Sequence, residues 1–395
     1  MSGRYFEFFC PVKIVAGALA LEHVPYELGT RGAVRPLIVT DKGVRAAKLV
    51  EVVQAALESG NVTAELVFDD VPQDSSTAAV SAIARFYRDH QCDSLIAIGG
   101  GSVIDTAKAV NILVSEGGDD LRAYAGTNVL KNRLKPLFVL PTTSGTGSEV
   151  TNISVVKDAA TGVKLPFMSQ YLLPDVAVLD PRLTVGLPPF FTAATAMDAM
   201  THAVEAFTCL GKNPVSDAYA LAAIQKISSN VIEVLDNPGD KERRLELSIA
   251  ATMAGIAFSN SMVGLVHALG HTVGAVTHVP HGVCMSVLLP YVLEFNLEAR
   301  KDVIGQLLIP LSGAEAYARV PEAERARAAI AKLRVLRDAL WSRAKLPRTL
   351  SETGKVRKDQ LPSIARASLD DGALIMNPVD VRYEDALKVL ERAYG

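Results

Sequence analysis

Ser94-Leu95-Ile96-Ala97-Ile98-Gly99-Gly100-Gly101-Ser102 is the stretch that decides the first half of the chain. Its apolar run is too brief for an ordinary helix and ends in glycine, so it reads as a buried strand. The run passes directly into three glycines, after which Val103, Ala107 and Val110 recur at helical spacing. Strand, glycine turn and helix in that order make one repeat of a parallel α/β sheet. Upstream, Pro36 to Thr40 and Ala64 to Phe68 read as strands, with helices from Asp41 through Leu57 and from Ser75 to His90. Downstream, Pro136 to Leu140 is a further strand, ending in Pro141-Thr142-Thr143-Ser144-Gly145-Thr146-Gly147-Ser148.

The pattern changes in the proline-rich segment from Pro181 to Pro189. Beyond it helical runs dominate: Ala193 to Cys209, Asp217 to Leu235, Glu242 to Phe258, Glu322 to Leu340 and Tyr383 to Tyr394. Between them, Leu247 to Leu293 contains no Asp, Glu, Lys or Arg, yet holds four of the seven histidines: His267, His271, His278 and His281. Gly264, Gly270, Gly274, Pro280 and Pro290 interrupt this stretch, and imidazoles in hydrocarbon are costly, so it reads as dry protein interior and not as a membrane span. The expected organisation is an α/β, Rossmann-like dinucleotide-binding domain with a mostly parallel sheet over residues 1–186. An all-α metal-binding domain is expected over 187–395.

A chain of 395 residues, 49% apolar and 21% charged, has the composition of a globular enzyme. Its net charge of -3 offers no electrostatic footprint for nucleic acid or an anionic membrane. Cys10, Cys92, Cys209 and Cys284 are scattered, which argues for a reducing compartment and against both a disulfide framework and a thiolate zinc site. Met1 to Val15 alternates charge, aromatics and a proline, unlike a signal peptide, so a cytoplasmic location is expected.

The glycine turn lets backbone approach a bulky anion, and the N–H groups of the following helix favour a phosphate, so Gly100, Gly101 and Ser102 are candidate contacts. Ile104 stands where the last glycine of G-x-G-x-x-G would fall, and a plain tight turn is the competing reading. Thr142, Thr143 and Thr146 offer hydroxyls on a second loop that would converge on the same crevice, unless they serve only their own turns. Asp41, at a strand end, would either accept from an adenosine ribose, favouring NAD over NADP, or cap the next helix.

Asp198 and His202 lie four residues apart on one helix face, and His267 and His271 repeat the spacing. His281 follows a turn with Pro280 and Gly282. One carboxylate plus three imidazoles suits iron(II) or zinc, with room for a substrate oxygen. His278 is expected to be a packing residue beside the site, and His23 and His90 to be surface positions.

These motifs together resemble those of the iron-containing (group III) alcohol dehydrogenases, relatives of glycerol dehydrogenase and dehydroquinate synthase, over nearly the whole chain. G-G-G-S-V-I-D-T-A-K (Gly99 to Lys108, including Asp105) and P-T-T-S-G-T-G-S-E-V-T (Pro141 to Thr151) look like the family's cofactor loops. M-D-A-M-T-H-A-V-E (Met197 to Glu205) and G-L-V-H-A-L-G-H-T-V-G (Gly264 to Gly274), with His281, look like its metal motifs. The resemblance implies Asp198, His202, His267 and His281 as metal ligands, usually for iron(II), with zinc as the substitute. It implies His271 as a catalytic residue beside nicotinamide and substrate, Lys164 near the cofactor, and Leu183 in an adenosine-side segment. At Pro72-Gln73-Asp74-Ser75-Ser76, Asp74 stands where many members have a cofactor-touching Asn, so that contact is not carried over. A homodimer or larger homo-oligomer is implied, with Tyr5 to Phe9 as a candidate contact segment. The expected activity is hydride transfer between NAD(H) and a small alcohol/aldehyde pair. The alternatives are a dehydroquinate-synthase-type lyase or cyclase, or a non-catalytic nucleotide-binding protein.

Overall fold

The computed structural model describes residues 5–395. Cys10 to Leu187 forms one compact unit; Pro188 to Gly395, joined by the described residues through Phe9, forms the other.

In the first unit, β1 (Lys13–Ala16), β2 (Pro36–Val39), β3 (Val67–Phe68), β4 (Ser94–Gly99), β6 (Leu137–Pro141) and β9 (Val176–Leu179) make one sheet in the order β1-β9-β6-β4-β2-β3. Every pairing in it is parallel. Side chains alternate along the strands and fill a core on each face. Leu37, Val39, Leu95 and Ala97 join one core, while Ile38, Ile96 and Ile98 join the other. That is why these strands read as unbroken apolar runs. A second, three-stranded sheet is formed by β5 (Gly126–Thr127), β8 (Lys164–Met168) and β7 (Ile153–Lys157) in that order.

The helix expected from Asp41 through Leu57 is two helices, α1 (Lys42–Ala46) and α2 (Leu49–Ser59), because Lys48 adopts a left-handed conformation with φ of 58°. α3 (Thr77–Asp89) and α4 (Gly101–Glu116) pack on the sheet where the sequence places them. Strand β3 is shorter than the expected Ala64 to Phe68.

The second unit is helical throughout. α5 (Pro189–Thr208) is buried on all sides from Ala196 to Thr208, and α6 (Pro214–Asp236) and α7 (Lys241–Ser259) flank it. The uncharged stretch folds into the end of α7, all of α8 (Leu265–Thr277) and most of α9 (His281–Phe295). α10 (Glu322–Ala344), α11 (Leu361–Ser368) and α12 (Tyr383–Tyr394) complete the core. Among the described residues no single helix is long and apolar enough to cross a membrane.

The segment through Phe9 groups with the helical unit: Phe8 stacks on Tyr219 with centroids 5.9 Å apart, and the Phe9 N–H donates to Asn260 Oδ1 at 2.7 Å. Aromatic side chains without a strand to join find their apolar partners among helices.

Candidate active site

Three helices of the second unit bring the acidic and imidazole groups together. α5 presents Asp198 and His202 one turn apart, α8 presents His267, and α9 begins at His281. The approach of α9 depends on Gly282, where an added Cβ would lie 2.2 Å from the Ala194 carbonyl oxygen. With no side chain there, the start of α9 rests on the α5 backbone, and His281 Nε2 comes within 3.2 Å of Asp198 Oδ1. Asp198, His202, His267 and His281 each offer one ligand atom, all within 4.8 Å of one another. The His202 ring stacks between Phe258 (4.3 Å) and His267 (4.6 Å).

Burial and mutual proximity set the electrostatics of this cluster. Burial alone would raise the Asp198 pKa, but His202 and His281 outweigh it and hold the carboxyl well below the usual range. Burial pulls His202 down to about 3 and His267 far below the ordinary imidazole value. A low carboxyl at Asp198 thus sits beside two rings, His202 and His267, whose charged forms burial disfavours. His202 Nδ1 and His267 Nε2 are buried without a hydrogen-bond partner, a costly arrangement unless something else satisfies them.

His271 is not one of the four. Its ring stacks on His281 at 5.4 Å, its side chain is 42% exposed, and its Nδ1 lies 2.9 Å from Asp371 Oδ2. His278 departs from expectation. It is an exposed residue in the left-handed conformation (φ 56°) that ends α8, and its carbonyl accepts from Lys355 Nζ at 2.8 Å. The chain must turn sharply there to bring His281 back to α5, so position 278 faces outward. His23 is exposed, and His90 is partly buried, stacked on Phe86 at 4.1 Å.

Glu205 and Asp371 are functional candidates that the sequence reading passed over. Glu205, on α5 one turn beyond His202, has Oε2 2.5 Å from His267 Nδ1 and takes the Val266 N–H at 2.8 Å on Oε1. Burial pushes it up to about 7 against the backbone N–H groups that favour its ionised form. A buried acid inside a recognised motif was the available signal for Glu205. Asp371 lies far from every motif and carries no local signal.

In the first unit, the two loops meet at the C-terminal ends of β4 and β6. The Thr142 N–H donates to the Gly99 carbonyl at 3.0 Å. A Cβ on Gly101 would lie 2.8 Å from Thr146 Cγ2, and one on Gly100 would lie 3.3 Å from Thr143 Oγ1. Gly100 caps α4 without a side chain, so the first N–H groups of a sixteen-residue helix lack a side-chain cap there. Other candidates are engaged within the chain. The Ser102 hydroxyl donates to the Gln73 carbonyl at 2.5 Å. Asp105 accepts from Ser148 Oγ at 2.6 Å and from the Val155 N–H at 3.0 Å, which ties α4 to the second loop and to β7. Leu183 is buried in the sheet core, so its side chain packs against strands, and Lys164 is exposed at the start of β8. Asp41 caps α1, its Oδ1 accepting from the Val44 N–H at 2.9 Å.

Comparison with known proteins matches both halves. The model "Iron-containing alcohol dehydrogenase" fits residues 11–181, and "Fe-containing alcohol dehydrogenase family, C-terminal" fits residues 192–394. The chain belongs to the iron-containing alcohol dehydrogenases. It is 35% identical to 1,3-propanediol dehydrogenase of Klebsiella pneumoniae, over 100% of both chains. It is 33% identical to the NAD-dependent methanol dehydrogenase of Bacillus methanolicus, over 98% of this chain and 99% of that one. A crystal structure of 1,3-propanediol oxidoreductase superposes with a TM-score of 0.94 at 32% identity, covering 99% of this chain and 100% of that one.

As a member of this family the chain is an oxidoreductase of the alcohol dehydrogenase type, and nothing in these relatives favours a lyase or cyclase. The residues present also fit a resident divalent metal on their own chemistry. The donors are of nitrogen and oxygen type, and the buried unpartnered atoms are those a cation would satisfy.

Proposed function

We propose that this iron-containing alcohol dehydrogenase moves a hydride between NAD(H) and a small primary alcohol or diol and its aldehyde. The observation that carries the proposal is the convergence of one carboxylate and three imidazoles, with His202 Nδ1 and His267 Nε2 buried and without partners. Asp198, His202, His267 and His281 would hold the metal, iron(II) by family and zinc by chemistry. The names of the relatives, methanol and 1,3-propanediol dehydrogenases, support a small substrate.

A bound divalent cation supplies Lewis acidity, which lowers the pKa of a coordinated oxygen by several units, as for water from ~16 to ~7. The four side chains fix where that acidity acts. Asp198 would contribute the one formal negative charge to the donor set, and His202, His267 and His281 would each offer a ring nitrogen. His271, beside the cluster and half open, accepts the alcohol's O–H proton and passes it to water. The C–H hydride goes to NAD, so that alcohol and NAD become aldehyde, NADH and a released proton. Gly100, Gly101 and the start of α4 would carry the pyrophosphate, Thr142, Thr143 and Thr146 would line the cofactor, and Asp41 would accept from the ribose and disfavour NADP. Lys164, Asp105 and the Leu183 segment would support the site from the same unit.

Four free cysteines suit a reducing, cytoplasmic setting, and a homodimer or larger homo-oligomer would use Tyr5 to Phe9. The test is metal removal. Chelation should abolish NADH oxidation with small aldehydes, and stoichiometric iron(II) or zinc should restore it. Turnover unchanged in protein shown by elemental analysis to be metal-free would overturn the reading.

A further inference from the structure

Two histidines one turn apart on α8 have the same support and different surroundings. His267 Nδ1 lies 2.5 Å from Glu205 Oε2, and His271 Nδ1 lies 2.9 Å from Asp371 Oδ2. A ring that donates from Nδ1 to a carboxylate oxygen keeps its lone pair on Nε2, and the low carboxyl at Asp371 sets that tautomer at His271. At His267 that lone pair is buried within the four-donor cluster. At His271 it belongs to a ring that is 42% exposed and outside the cluster. One tautomer thus makes the first ring a metal donor and the second a base open to solvent.

Asp371 is itself held in place. Its Oδ1 accepts the Ala373 N–H at 2.8 Å, capping the short turn Gly372–Met376, so Oδ2 is aimed at His271. Burial would raise its pKa, but His271 outweighs burial and keeps the carboxyl below its ordinary value. An ionised Asp371 therefore stands behind the imidazolium that forms when His271 takes the alcohol's proton, an arrangement that favours proton transfer.

We propose that Asp371 is the positioning residue for His271: it fixes the ring with Nε2 as the proton acceptor, while Glu205 performs the matching service for His267 toward the metal. This rests on the reading of His271 as the proton relay. An Asn at 371 can turn its amide N–H toward Nδ1, which would allow the wrong tautomer and remove the charge.

The test uses the metal-loaded enzyme with Asp371→Asn, Asp371→Glu, His271→Ala and the His271→Ala/Asp371→Asn double variant. Asp371→Asn should lower kcat ten- to a hundredfold with little change in KM, leave metal affinity by chelator competition at the wild-type value, and move the His271 15N resonances toward the Nε2–H tautomer. Asp371→Glu should recover part of kcat. In the His271→Ala background the Asn substitution should cost nothing further, whereas a merely structural Asp371 would lower activity again. Full kcat in His271→Ala would remove the relay reading itself. Loss of kcat in His271→Ala but not in Asp371→Asn would leave the relay standing and overturn the positioning role. A drop in metal affinity in Asp371→Asn would overturn the division between the two carboxylates.

Discussion

Asp41 has a structural and a proposed recognition role that one substitution separates. It caps α1 through the Val44 N–H at 2.9 Å, and its charge would repel a ribose 2′-phosphate. Serine caps helices about as well but is neutral. Asp41→Ser should therefore keep the melting temperature while raising kcat/KM for NADP relative to NAD at least tenfold; Asp41→Ala should also lose about 1 kcal/mol of stability. An unchanged cofactor ratio in the serine variant would reduce Asp41 to a cap. At this scale, legibility followed spacing. Asp198 with His202, and His267 with His271, could be read because a helix turns four residues apart into neighbours. Glu205 stood in the same motif, but its use depends on His267, which local spacing does not reveal. Asp371 meets His271 only because the chain folds back from far downstream.

Among the elements, α4 shows what an interior charge does. Lys108 is fully buried on it, and its Nζ donates to Thr151 O (2.7 Å), Thr151 Oγ1 (3.0 Å), Ile153 O (2.9 Å) and Ser148 Oγ (3.2 Å). The staple joins α4 to the loop after β6 and the start of β7, and burial pulls the ammonium's pKa down to about 8. A lysine whose folded pKa is depressed is protonated more readily when unfolded. Between about pH 8 and the unfolded value near ~10.4 the unfolded chain thus holds the extra proton, and stability rises with pH. Denaturant melts from pH 7.5 to 10.5 should show this rise in the wild type relative to Lys108→Met. The variant should also be destabilised by ~1–3 kcal/mol at pH 7.5, through carbonyls left unpaired. Equal slopes for the two proteins would show that the ammonium keeps its ordinary affinity for the proton. Legibility of elements followed burial in part: β2, β4 and β6 are covered on both faces and read as solid apolar runs, whereas β9, equally buried and four residues long, carries no strand expectation. β1 is mostly exposed at the sheet edge, and β5, β7 and β8 belong to a small, partly exposed sheet, so none carries that signature.

For the whole molecule, the two-part organisation was readable because alternation of strand and helix stops near Pro188 and helices continue alone. Placement of the first residues was not, since a short aromatic segment specifies a need for burial without naming its partner. Tyr5, Phe6 and Phe9 remain substantially exposed although Phe8 is docked on Tyr219. If this segment joins subunits, deletion of residues 1–9 should shift the mass in light scattering from an oligomer to a monomer. An unchanged mass would place the interface elsewhere.

The parallel sheet also ends in short margins: β3 is two residues long at one side and β1 four at the other, beginning with Lys13. Long, flat, apolar borders are where foreign chains add themselves as extra strands. With so few unpaired peptide groups on offer, this sheet gives amyloid-like growth little to template on, and fibril seeding is the assay in which that protection would be visible.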